Sequence, residues 1–148
     1  MTEVFQISHW VEATPEEIWN AYTTPELFHQ FFAPDGLHIP LESVVMELRV
    51  GGRFELDMVF DETGEVNPNK GIVVELDEPH RMVFMEPDFM GKELRSSQTF
   101  IADNGGTLIT VTQDGLPQEL INNPEVIDAF RSSFRKLGRV LGIRTENR

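Results

Sequence analysis

Glu86 is the residue whose setting most invites chemistry. In Arg81–Glu86 it follows Met82 and Phe84 at alternate positions, so on a strand its carboxylate shares their apolar face. A carboxylate there either escapes into water at the strand end or stays among apolar groups with a raised pKa. Ser96 and Gln98 share a face with Leu94 and Phe100, and His9 shares one with Phe5. His9 reads as a satisfied core histidine or as a base. Glu86 with Gln98 reads as the polar end of a site for an otherwise apolar ligand.

Other chemistries find less support. His9, His29, His38 and His80 give no pair at helical i, i+4 spacing beside an acid and no alternating strand pair, so no metal site is expected. The chain has no cysteine, and with it no disulfide or thiolate chemistry. There is no Gly-x-Ser-x-Gly elbow, and Ser96-Ser97 and Ser132-Ser133 fall in ordinary strand and helix contexts. Gly51-Gly52 is a bend between strands rather than a phosphate loop, because no helix start follows it. No catalytic residue set and no cofactor is implied.

The elements that must position these residues begin with the longest. From Pro124 to Leu141, Val126, Ile127, Phe130, Phe134, Leu137, Val140 and Leu141 recur at three- and four-residue steps, one apolar stripe on a helix. Asp128, Arg131, Ser132, Arg135, Lys136 and Arg139 fall opposite. Asn123-Pro124-Glu125 supplies a cap, a proline at the first position and an acid in the first turn. Such a helix needs a broad partner. Phe5, Ile7, His9 and Val11 alternate with Gln6, Ser8, Trp10 and Glu12, as in a half-buried strand. Thr14-Pro15-Glu16-Glu17 is a capping box opening a short helix, and Thr24-Pro25-Glu26 opens a second, closed by Pro34-Asp35-Gly36.

From about residue 37 the period becomes two. Strands are expected near Leu41–Val50, at Phe54–Phe60 with Phe54, Leu56, Met58 and Phe60 inward, and at Gly71–Asp77, Arg81–Glu86, Leu94–Ala102 and Thr107–Gln113. Asp61–Asn69 reads as a polar connection, Asp103-Asn104-Gly105-Gly106 as a hairpin, and 115–123 as a linker. The pattern predicts one α+β domain over residues 1–148: a curved antiparallel sheet of six to seven strands, a long helix across its concave side, and two short helices at one end.

With 148 residues, 40% of them hydrophobic and 25% charged, the chain can bury roughly 70% of its unfolded surface. No run reaches the roughly 20 apolar residues needed to span a bilayer. Met1-Thr2-Glu3-Val4 lacks a signal-peptide layout, so a cytoplasmic protein is expected. Twenty-five acidic against 12 basic residues, a formal charge of −13, would be repelled by phosphate-rich partners. No nucleic-acid or membrane partner is therefore expected, and the chain is read as a monomer or homodimer.

Four stretches resemble one family: Ala13-Thr14-Pro15-Glu16-Glu17-Ile18-Trp19 with Thr24-Pro25-Glu26; Arg49-Val50-Gly51-Gly52-Arg53-Phe54; Gly71 through Phe84, which includes Glu78-Pro79-His80-Arg81; and Gly105-Gly106-Thr107-Leu108-Ile109-Thr110. They resemble the START-like, SRPBCC (helix-grip) superfamily, in the branch named for the activator of the heat-shock protein 90 ATPase. Two positions depart from it. Ala129-Phe130 stands where the family usually has Gly-Trp, and Glu86 stands where relatives often carry tryptophan. The eukaryotic activators also carry a separate N-terminal domain, so their chaperone role is not carried over.

The resemblance implies a hydrophobic cavity between sheet and long helix, without implying one shared reaction. Binding of a small hydrophobic molecule is the leading expectation. The ligand-lining set is then Phe31, Phe32, Phe54, Met58, Phe84, Glu86, Gln98, Phe130 and Phe134, with Phe60 and Met82 as further inward candidates. A cyclase- or dehydratase-type enzyme using Glu86 or His9, and a chaperone-associated protein-binding module, are the alternatives.

Overall fold

A computed structural model describes residues 4–148 of the protein. Strand β1 (Phe5–Val11) leads into helices α1 (Pro15–Thr23) and α2 (Pro25–Phe28). Two short strands follow, β2 (Leu37–His38) and β3 (Val45–Met46). Then come β4 (Arg53–Phe60), β5 (Val66–Asp77), β6 (Arg81–Phe89), β7 (Lys92–Asp103) and β8 (Gly106–Asp114). Helices α3 (Gln118–Ile121) and α4 (Pro124–Leu141) and strand β9 (Thr145–Asn147) complete the order. The sheet runs β2-β4-β5-β6-β7-β8-β1-β9, with β3 also on β4, and every pairing is antiparallel. Six long strands carry it, as expected from the alternation; β2, β3 and β9 add two or three residues each.

Local chemistry sets the helix ends. Thr14 accepts from the Glu17 amide and Glu17 reaches back to Thr14, so the capping box forms. Asn123 accepts from the Glu125 amide, and Gly142 ends α4 in the left-handed conformation at φ 68°. The helix therefore spans the residues its pattern predicts.

Helix α4 lies against the concave face and the short helices. Phe130 stacks on Phe5 at 5.0 Å and Phe134 on His9 at 4.8 Å. Lys136 Nζ donates to the Ala33, Pro34 and Leu37 carbonyls, and Ser133 donates to that of Phe32. Leu137 is fully buried.

The structure corrects several sequence expectations. Ser132, placed on the outer side of α4 by the pattern, is buried; it accepts from the Asp35 amide and donates to Ala129 O. Ile127, placed inside, is exposed, because the stripe is wider than the surface it meets. Leu41–Val50 is not one strand. Pro40 starts a 3-10 turn over Leu41–Ser43, and Ser43 bonds both to Pro40 O and to the Asp57 amide. Only Val45 and Met46 then pair with β4. The connection after β4 is five residues, not nine, because Val66–Asn69 pair with Leu56–Val59 despite their polarity. Residues 61–68 are exposed, so polar side chains cost little there. Phe60 is exposed there too, while Met82 is wholly buried.

Trp10, expected on the wet face, is buried as well. Its Nε1 donates to Asp103 O, the Arg144 and Arg148 guanidinium groups sit 5.6 Å over its ring, and β9 pairs with β1 beside it. A Cβ at Gly106 would come within 2.6 Å of that ring, so glycine is required there.

Candidate functional site

The alternation on β4 to β8 sends one set of side chains to the concave face, and α4 roofs it. Phe54, Leu56 and Met58 come from β4, Gly71 and Asn69 from β5, and Phe84 and Glu86 from β6. Leu94, Ser96 and Gln98 come from β7, Val111 and Gln113 from β8. Ala129, Phe130, Ser133 and Phe134 descend from α4, and Tyr22, Phe31, Phe32 and Pro34 close one end. Together they surround a cavity of about 210 Å³.

All nine residues expected to line a ligand site border this one space. Alternation and the helical stripe carried that information. Tyr22, Leu56, Asn69, Gln113 and Ser133 also line it and were not singled out. Gln113 shares its phase with Ile109 and Val111 and was open to the same reasoning. Asn69 was hidden because its strand reads as a loop.

The aromatic walls are packed against one another. Phe54 stacks on Phe84 at 4.2 Å, Phe28 on Phe32 at 4.4 Å, and Tyr22 meets Phe31 edge-on at 5.1 Å. Burial pushes the Tyr22 phenol up, so it is neutral.

The polar groups fall at separate places. Met82 pairs with Gln98, Phe84 with Ser96, and Glu86 with Leu94. Glu86 and Gln98 thus stand four residues apart along the ladder, roughly 13 Å at about 3.4 Å per residue. They do not form one polar end together, as the sequence suggested; they mark two ends. Gln98 is 4% exposed and its Oε1 has no hydrogen-bond partner. Ser96 accepts from Gln113 Nε2 at 3.1 Å, midway between them. Glu86 is half-buried where the β6–β7 register slips before Phe89, so it stands at the mouth. Burial holds its carboxyl above the usual carboxylate range. Among the described residues Glu86 is the one carboxylate, histidine, lysine or arginine that borders the cavity.

His9 does not border the cavity. It is 1% exposed behind Phe134, and Arg131 donates to its Nδ1 at 3.0 Å. That bond leaves the proton on Nε2, which has no partner. Burial first, then Arg131, Arg135 and Arg148, brings its pKa down to about 4. It is a neutral core residue at ordinary pH and cannot reach a ligand in the cavity. Among the described residues no group of three or more potential metal ligands occurs. Among the same residues no helix is long and apolar enough to cross a membrane.

Comparisons with known proteins agree with the architecture. The family model described as "Activator of Hsp90 ATPase homolog 1-like protein" matches residues 12–142. A protein of known structure from Chromobacterium violaceum superposes with a TM-score of 0.81 at 19% identity, over 93% of this chain and 96% of its own. One from Rhodobacter sphaeroides gives 0.81 at 20% identity, over 94% and 92%. An AHSA1-like protein from Aeromonas hydrophila gives 0.75 at 20% identity, over 95% and 92%. At such identities the likeness extends to the fold alone. No curated protein matches the sequence.

Proposed function

Since the chain belongs to the family of activator of Hsp90 ATPase homolog 1-like proteins, whose helix-grip fold commonly binds hydrophobic ligands, we propose that it binds a small, largely apolar molecule between sheet and α4. The observation that carries this reading is the cavity itself. Left dry, about 210 Å³ would cost roughly 5 kcal/mol at about 24 cal/mol per Å³. That is a large part of a typical stability of about 5–15 kcal/mol. An occupant recovers it. The volume is below the roughly 300 Å³ at which drug-sized sites begin, and above the roughly 150 Å³ that holds a benzene ring. The ligand is accordingly small.

Phe54, Phe84, Phe130, Phe134, Phe31, Phe32 and Met58 would supply the apolar walls, and Gln98 and Glu86 the polar contacts. Native mass spectrometry of protein purified from its own host tests this. A bound small molecule, lost when Ala129→Leu fills the roof, is the expected result; a bare chain at a single mass argues against it.

A second reading follows from Glu86 alone. A carboxyl whose pKa burial raises above the usual carboxylate range could serve as an acid or base in a cyclase- or dehydratase-type reaction. If the retained molecule is turned over, Glu86→Gln should bind it and leave it unchanged. A packed interior would have favoured a protein-binding module instead; the cavity does not.

A further inference from the structure

Among the described residues the cavity borders one carboxylate, Glu86, and no lysine, arginine or histidine. A fatty acid or other carboxylate ligand would meet no counter-charge there and would lie beside Glu86 in a molecule of net charge −13. Like charges at close range in a low-dielectric site repel strongly. Among the described residues Glu86 has no salt-bridge partner within 4.0 Å. Its nearest rungs on the concave face are Leu94 and Phe84.

At the opposite end, Gln98 Oε1 is a buried acceptor with nothing to accept from. A group so placed costs free energy until a donor reaches it. Between the two lie Phe84 and Ser96, over a stretch of roughly 13 Å along the ladder. The volume of about 210 Å³ leaves room for a single short chain.

Building on the cavity as a ligand site, we infer that it selects an elongated, apolar molecule with a hydrogen-bond donor at each end: a hydroxyl or N–H inserted towards Gln98, and an amine held at the mouth by Glu86. Carboxylate-headed lipids are excluded. Burial, which by itself favours the neutral Glu86 carboxyl, is countered once an ammonium sits beside it, so the amine and the ionised acid stabilise each other. Ser96, with its acceptor side taken by Gln113, keeps a hydroxyl proton free to turn towards the ligand's middle.

Four probes of equal chain length separate the outcomes: 1-octanol, octylamine, 8-amino-1-octanol and octanoate, titrated calorimetrically into the full chain at pH 7. Octanol should bind, octylamine about tenfold more tightly, the amino alcohol tighter again, and octanoate at least tenfold more weakly than octanol. Glu86→Gln should bring octylamine and octanoate to within about threefold of each other. This separates a local contact from the attraction of the whole acidic molecule. Gln98→Leu should reduce the amino alcohol to the level of octylamine. Octanoate binding as tightly as octylamine, or a Glu86→Gln variant that keeps the full preference, overturns the selectivity while leaving the cavity reading intact. Failure of octanol and octylamine alike overturns both.

Discussion

Two buried polar residues, His9 and Gln98, lie on the inner face of the sheet and differ in what their burial implies. His9 is neutral, fixed by Arg131 and stacked on Phe134. Its folded pKa of about 4 lies below the 6.5 of a free histidine, so the unfolded chain takes up the proton first. Stability from this group is therefore complete above pH 6.5 and drains away as pH falls towards 4, by up to about 3 kcal/mol. Denaturant titrations should show the wild type losing about that much relative to His9→Phe across this window; parallel curves would refute it. Gln98 is unsatisfied rather than neutralised. Gln98→Met, similar in volume and without the orphan acceptor, should raise ligand-free stability by about 1 kcal/mol. The same change should weaken donor-bearing ligands. A site that costs stability until it is filled is a common compromise between folding and function.

Helix α4 holds the roof by several different means, and they were unequally legible. Its boundaries were written in Asn123-Pro124 and in the end of the apolar stripe before Gly142, because caps act over a few residues and leave a local signature. Its polar contacts were not. Lys136 reads as a solvated cation, yet its ammonium gathers three carbonyls from the segment after α2. Ser132 reads as surface and is a buried bridge to Asp35. Both depend on where a loop a hundred residues earlier comes to rest, which no short-range pattern encodes. The same limit hid β9, Asn69 and the burial of Trp10. The inward phases of β4, β6 and β7 were legible because a two-residue period fixes the face. Lys136→Met should cost about 2 kcal/mol by leaving those carbonyls unpaired. Leu137→Ala, in the middle of the same helix, should cost about 2–5 kcal/mol. Thermal or chemical unfolding measures both.

For the molecule as a whole, cavity and stability are opposed quantities. Ala129→Leu, which adds apolar volume from the roof, should raise stability by about 1–2 kcal/mol and abolish small-molecule binding. A variant destabilised by the added bulk would mean that the space is too small or misplaced to hold a ligand. Conversely, a ligand at a hundred times its Kd should add about 2.7 kcal/mol. For about 150 residues that raises Tm by several degrees, which turns thermal shift into a screen for the natural occupant.

The last residues of the chain clasp Trp10 from outside, with Arg144 and Arg148 over its ring and β9 paired along β1. The molecule thereby carries its own optical gauge. Trp19, the second indole, is buried edge-on to Phe100. In a Trp19→Phe background, emission would come from Trp10 alone. Clipping the tail after Gly142 should redden and dim that light while the interior stays folded, so each loosening of the terminus becomes visible in a cuvette.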